Sequence, residues 1–411
     1  MISSKNSSSP RALRLIYSAG PGDVIGTYRH WKLGEDDPAQ LSMTYSGMFY
    51  ELCRDLGAKA WIISRHPRNE LVQEADFRIE HRPVYCSDGS SMLFLLEQFW
   101  WGVRFVVSAL LFRADAAVVS TPSFDPIPLR ILPWLGVKLI PTVHCVLWPK
   151  NRRPTGRRWM RRRIQEGYLY GKSASMILSV SGDISRQIEE VAGGASAKVL
   201  EFFPSYRRET FADAINPPVQ RLPFRVLFVG RIEEDKGVFD LLQIAQRFNR
   251  EHPGEFQFDL CGTGSALHDL RRKSEEAGLE GNFRCHGHCD RPTMRQMFGQ
   301  CHVVIVPTTM DFVEGFNKVV VEGVLARRPV ITSSVCPALE YVRDAVMEVP
   351  PNDVNAYAEA ILRLRDDLGL YEKLLKAGLA AGDQFYDPSR NWAFNLKKIL
   401  CSTLNLQAQN S

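Results

Sequence analysis

The chain lacks CxxC cysteine pairs. Its nine cysteines are scattered and odd in number, which excludes a zinc ribbon or a disulfide framework and suits reduced thiols in a cytosol. The first dozen residues, MISSKNSSSPRA, lack an apolar core, so residues 1–11 read as a disordered tail and not a signal peptide. No fixed-period repeat or coiled coil is present. Long hydrophobic runs are scarce as well, the exception being Met92–Phe112. Arg104 near its middle argues against a span, since a central cation costs about 2.5–3.5 kcal/mol on insertion scales, and Glu97 adds to that. The segment reads as a half-buried domain helix or as a helix lying in a membrane surface.

Charge of one sign is nearly balanced, with a formal +5 over 411 residues. Eight cations nevertheless fall between Lys150 and Gln165 with no acid among them: Lys150, Arg152, Arg153, Arg157, Arg158, Arg161, Arg162 and Arg163. Without them, 43 basic residues against 46 acidic ones leave −3. The basicity is one patch, which argues for a local anionic partner and against a general nucleic-acid coat. No aromatic platform or RNA motif accompanies it, so no nucleic acid is expected.

At this length two domains are expected. Short apolar runs alternate with helical stretches, the pattern of parallel sheets in an α/β fold. Strands are expected at 12–18, 59–64, 116–120, 137–143 and 176–180, then at 225–229, 256–261, 283–285, 302–306 and 329–331. That gives two doubly wound, Rossmann-like domains, 12–204 and 225–387, joined by a proline-containing linker at 205–224. The last stretch, 388–411, is assigned to the first domain as a returning helix.

Three segments carry chemistry. In RVLFVGRIEEDKG a buried strand ends at Val229, and Arg231 and Lys236 follow its carboxyl end, where open α/β sheets bind ligands. A guanidinium and an ammonium there suit a diphosphate; they could equally form surface ion pairs with Glu233, Glu234 and Asp235. The next strand ends in Cys261-Gly262-Thr263-Gly264, a phosphate-facing turn or a plain tight turn. Then comes VEGFNKVVVE, with Glu314, Gly315, Phe316 and Asn317 before a helix that holds Glu322. Gly315 lets backbone approach a ligand, and a helix start favours phosphate.

Together, strand-GR-x4-KG, strand-GTG and EGF-x5-E resemble the retaining glycosyltransferases of family 4, of the two-domain GT-B fold and the bacterial surface-polysaccharide type. The resemblance implies transfer of a sugar from a nucleotide-diphosphate donor without a metal or other cofactor, a hexosyltransferase-like activity. It implies that Arg231 and Lys236 neutralise the leaving diphosphate. Glu314 would hold donor-sugar hydroxyls and Glu322 the ribose, with the backbone of Gly315 and Phe316 meeting phosphate or sugar. In the first domain Gly22, within Ala19-Gly20-Pro21-Gly22-Asp23, resembles the glycine that faces the donor phosphates. His144, after the strand ending at Val143, resembles the family's cleft histidine, and His288 lies near where the family places the base. Tyr28, Arg29, His30 and Trp31, in a long loop Val24–Asp37, are candidate acceptor contacts through exposed aromatics, which could equally cap the domain's edge.

Departures from the family pattern are Ala326-Arg327-Arg328 before Pro329, Cys336-Pro337, Asn317 and Lys318 after EGF, and Phe203-Pro204-Ser205. They bear on donor-sugar identity. Arg157, Arg158, Trp159, Arg161 and Arg162 suit an anionic membrane surface, or a solvated helix with the apolar stripe Met160, Ile164 and Tyr168. The expected setting is cytoplasmic, peripheral on the inner face of the plasma membrane, with a lipid-linked or saccharide acceptor. Rival readings are a nucleotide-sugar-binding regulator without turnover, and a same-fold epimerase or phosphorylase.

Overall fold

The computed structural model describes residues 11–84, 92–121, 124–150, 152–214, 217–218, 220–311 and 313–406. The tail expected at residues 1–11 therefore lies, apart from Arg11, outside the described residues. Two sheets organise the chain. The first holds β1 (Arg14–Pro21), β2 (Lys59–Arg65), β3 (Glu70–Glu74), β4 (Phe77–Arg82), β5 (Ala116–Thr121), β6 (Lys138–Val143), β7 (Ile177–Ser179) and β8 (Val199–Glu201). Their order is β3-β4-β2-β1-β5-β6-β7-β8, parallel except for β3. The second holds β9 (Phe224–Val229), β10 (Phe256–Cys261), β11 (Phe283–Gly287), β12 (Val303–Val306), β13 (Val330–Ser333) and β14 (Val346–Val349). It is wholly parallel in the order β11-β10-β9-β12-β13-β14. The central strands are runs of Val, Ile, Leu and Phe buried on both faces, which requires helices above and below the sheet.

Strand order reverses between β1 and β5 in the first sheet and between β9 and β12 in the second. Loops leaving the carboxyl ends of those strands part in opposite directions and open a crevice. Gly22 and Asp23 leave β1 at one reversal; Arg231 and Lys236 leave β9 at the other.

The chain crosses between the sheets a second time. After Phe203 bridges Asn391, the helix Trp392–Leu404 packs on the helix Tyr45–Asp55 of the first domain. Trp392 is wholly buried against the rings of Tyr17, Tyr45 and Phe49.

Two expectations need correction. Residues 24–32 are a helix and not a loop: the Asp23 carboxylate caps it by accepting from the Gly26 N–H at 2.6 Å, and its inner face carries Tyr28 into an aromatic cluster with Tyr50 and Phe77. The hairpin β3–β4 and the short strands β8 and β14 were not anticipated. Glu70–Glu74 is a charged edge strand, Phe77–Arg82 beside it is rich in charged residues, and the other two have three and four residues, too little for an apolar period to register.

Candidate active site

Arg231, Lys236 and Glu314 meet in space. Lys236 ends a single 3-10 turn, Glu234–Lys236, at the mouth of β9, and is buried. Its Nζ lies 2.8 Å from Glu314 Oε1, and the exposed Arg231 Nη2 is 3.7 Å from the same oxygen. Asp235 Oδ2 also lies 3.6 Å from the same Nζ, so at the strand reversal the two cations are held between two carboxylates.

Gly315 makes a close approach to the loop that carries His144. Its N–H donates to the His144 carbonyl at 3.2 Å, Val146 N–H donates to Val313 O at 3.2 Å, and Cys145 bridges Glu314 antiparallel. A Cβ at Gly315 would sit 2.4 Å from the His144 oxygen and 2.5 Å from Ile184 Cδ1. The segment thus stitches the two domains together and holds Glu314 beside the loop that carries His144.

The half-buried His144 is oriented from behind. Trp392 Nε1 lies 2.9 Å from Thr142 Oγ1, which lies 3.1 Å from His144 Nε2. An indole N–H can only donate, so the threonine oxygen accepts it; that oxygen keeps a second lone pair and its own proton, and it pairs with His144 Nε2 in either tautomer of the ring. His144 Nδ1 is shielded and has no hydrogen-bond partner among the described residues. Burial, and then the nearby Lys318 ammonium, lower the His144 pKa to about 3. The ring stays uncharged at working pH and presents one N–H donor. Replacing Thr142 by valine should therefore lower turnover by about tenfold, the worth of one hydrogen bond, whereas Thr142→Ser should stay near wild type. Nitrogen-15 shifts of the ring should report a single tautomer in the parent and a mixture in the valine variant. The parent's pH–rate profile should show no limb near the usual imidazole pKa.

A cleft cavity of about 780 Å³ opens beside this group, lined by Gly22, Asp23, Tyr45, Arg65, His144 and Cys145 among others. Tyr45 stacks on His144 with ring centroids 4.5 Å apart. Of the four residues proposed for the acceptor side, only His30 lines this cavity. Tyr28 is buried and its hydroxyl donates to Glu74; Trp31 donates to Glu51 at 2.9 Å; Arg29 pairs with Glu70 at 2.6 Å. Stacking of Tyr28 on an acceptor is corrected, because its ring is core; Trp31 is partly buried against it and lines a separate cavity.

Several donor-side expectations also change. A Cβ at Gly262 would lie 1.8 Å from Gly230 O, and one at Gly264 would lie 2.2 Å from Ile232 O. These glycines admit the neighbouring βα loop. Phe316 is buried against Phe203, Tyr341 and Phe385. Asn317 is buried, adopts a left-handed backbone (φ 66°) and lends no side-chain cap to the helix Lys318–Leu325. Glu322 is buried beneath Tyr206, whose hydroxyl donates to it at 3.2 Å, and burial raises its carboxyl pKa to about 7. A ribose could reach it only by displacing Tyr206. His288 is exposed beside Asp290.

Lys318 was noted only as a departure, yet its Nζ crosses to the first domain, donating to Ser42 Oγ at 2.9 Å and Gln40 Oε1 at 3.1 Å. Near Gly22, Asp23, His66 and His81 bring ligating atoms within 4.8 Å of one another. The two imidazoles are stacked with only 26° between their planes. Near-parallel rings aim their lone pairs side by side, so this trio is no ready-made cation cage.

The basic segment is partly occupied internally. Lys150 donates to Ser334 O and Arg152 pairs with Asp311, both in the second domain. Arg153 pairs with Glu190 and covers the Trp159 ring, and Arg162 is bidentate on Glu166. Trp159 packs edge-on to Trp148, so it is not an exposed interface anchor. Arg157 and Arg158 have no ion-pair partner among the described residues, and Arg161 reaches Gln165.

Residues 216–380 match the family described as Glycosyl transferases group 1. The chain is 25% identical over 214 residues to a glycogen synthase of Mycobacterium tuberculosis, covering 52% of this chain and 50% of that protein. It is 28% identical over 176 residues to an O-antigen chain mannosyltransferase B of Escherichia coli, covering 42% and 45%. The chain spans about half the length of the curated relatives it matches. Among solved structures, Anabaena HepE in complex with UDP and glucose is similar with a TM-score of 0.63 and 14% identity, over 96% of this chain and 99% of that one. Sucrose-phosphate synthase from Thermosynechococcus elongatus is similar with a TM-score of 0.68 and 18% identity, over 96% and 99%. The fold is GT-B.

Proposed function

We propose that the protein is a retaining glycosyltransferase that moves a sugar from a nucleotide-diphosphate donor to an acceptor hydroxyl. The observation that carries this reading is the convergence of Lys236 and Arg231 on Glu314 Oε1 at a strand reversal, beside the oriented ring of His144. Relatives described as a glycogen synthase and a mannosyltransferase, and a neighbour crystallised with UDP and glucose, support it.

In this reading the bond between the sugar's anomeric carbon and the phosphate oxygen breaks while the acceptor oxygen bonds on the same face. The acceptor proton passes to the departing phosphate. Arg231 and Lys236 stabilise the charge that grows there, so the reaction needs no metal or other cofactor. Glu314 accepts from sugar hydroxyls, and the uncharged His144 ring borders the cleft beside them. The acceptor is proposed to be lipid-linked or saccharide, in surface-polysaccharide or glycolipid synthesis, with the protein in the cytoplasm at the inner face of the plasma membrane.

The test is a panel of nucleotide sugars incubated with membrane extract, followed by product detection and anomer assignment. A new glycoside with the donor's anomeric configuration supports the proposal. Binding without turnover would favour a regulator, and epimerised or phosphorolysed sugar a same-fold rival; either result overturns it.

A further inference from the structure

The helix Met92–Phe112 buries one face, with Trp101, Phe105 and Ala109 on the sheet, and leaves the other face apolar and exposed: Trp100 is 61% exposed and Leu111 76%. Beside it the short helix Ile131–Trp134 exposes Ile131 and, at 82%, Trp134. Between the two lies a groove of about 570 Å³, lined by Phe99, Val103 and Val107 on one side and Ile131 and Trp134 on the other. Monomeric soluble proteins rarely carry an apolar surface this continuous without a partner.

The charge around the groove selects among partners. Arg130 lines it and reaches across to the Ile164 carbonyl, its guanidinium over the Tyr168 ring. That contact joins the groove to the end of the basic segment, where Met160 and Ile164 are exposed beside Arg157, Arg158 and Arg161. Apolar side chains, tryptophans and unpaired arginines on adjoining elements match a surface whose interior is hydrocarbon and whose face is anionic.

We infer that this face seats on an anionic lipid bilayer, with the groove between the two helices receiving a hydrocarbon chain of a membrane lipid. The arginines meet the headgroups, and Trp134 lies at the boundary. Arg65 lines the cleft cavity and stands 5.9 Å from the ring of Trp101 on the same apolar helix, so the cleft and the lipid-facing helix share a wall. The inference deepens the membrane placement proposed above but is independent of the transfer chemistry.

Flotation of the full chain tests it, with vesicles of phosphatidylcholine alone or with one part in three phosphatidylglycerol. The wild type is expected to float with the anionic vesicles and to lose that partition as salt rises. Leu111→Ser with Trp134→Ser, both at exposed positions, should lower the bound fraction at least fivefold with an unchanged melting temperature and unchanged nucleoside-diphosphate affinity. Serine at Arg157, Arg158 and Arg161 should remove the salt dependence. A phosphatidylglycerol with a diazirine in its tail should crosslink to peptides containing Val103, Val107 or Ile131. Undiminished flotation of the double variant, crosslinks confined elsewhere, or a solution dimer dissolved by Trp134→Ser would each overturn the inference. A variant such as Lys236→Ala that floats normally but fails in transfer separates the two readings.

Discussion

Lys236→Ala is expected to lower kcat for sugar transfer by about 10²–10³, the usual effect of deleting one preorganised charge partner of a developing anion. The side chain is buried and its Nζ is 2.8 Å from Glu314, so the ammonium is fixed before any charge moves. Its loss leaves Glu314 with Arg231 alone, 3.7 Å away and 64% exposed, a looser and better solvated partner. Lys236→Arg should recover little, because a planar fork does not fit a pocket shaped for a point charge. The measurement is steady-state transfer together with calorimetric affinity for nucleoside diphosphate. Both should fall, with the loss in kcat the larger. The double variant Lys236→Ala, Glu314→Gln should lose much less than the product of the single effects, since the two side chains act as a unit. Transfer within threefold of wild type for Lys236→Ala would show that the leaving group is stabilised elsewhere.

Gly315→Ala should do comparable damage by a different route. The added methyl would press on a backbone carbonyl at 2.4 Å, which cannot rotate away, and on Ile184 Cδ1 at 2.5 Å, which can. Relief requires the strand-like pairing of 313–315 with 144–146 to open, taking Glu314 away from His144. Overpacking of this kind costs about 1–3 kcal/mol, or a few degrees in Tm for a chain of this size. The expected result is a loss of transfer of about 10² or more, since small misplacement of catalytic groups is enough to produce it. Small-angle scattering should show a larger radius of gyration as the domains part. A variant that retained both activity and compactness would mean that the bridge between 313–315 and 144–146 does not set the cleft.

The contrast between these two residues explains what the amino-acid sequence discloses. Arg231, Lys236 and Glu314 are legible because each follows a buried strand in a short stretch whose spacing is local. Gly315, Gly262 and Gly264 are legible only as places where backbone comes close. The sequence does not say what approaches, and in all three the neighbour is another loop of the same chain. Tyr28 and Trp31 read as exposed only as long as Val24–Asp37 reads as a loop. Their spacing of three, after a capping Asp23, is helical and was the available sign that both rings face inward. Nothing local marks Thr142, Trp392, Tyr206 or the reach of Lys318. Their partners are 250 residues away for Trp392 to Thr142 and 116 for Tyr206 to Glu322, distances at which only the finished fold creates the pairing.

The return of the C-terminal helix sets an order of events during biosynthesis. Trp392 fills the space between Tyr17, Tyr45 and Phe49, side chains that leave the ribosome more than three hundred residues earlier. Until the ribosome has translated the codons for the helix Trp392–Leu404, the amino-terminal half has an open apolar socket. Nascent chains halted before residue 392 should therefore engage chaperones, and a trans-supplied peptide of residues 388–406 should dock into that socket.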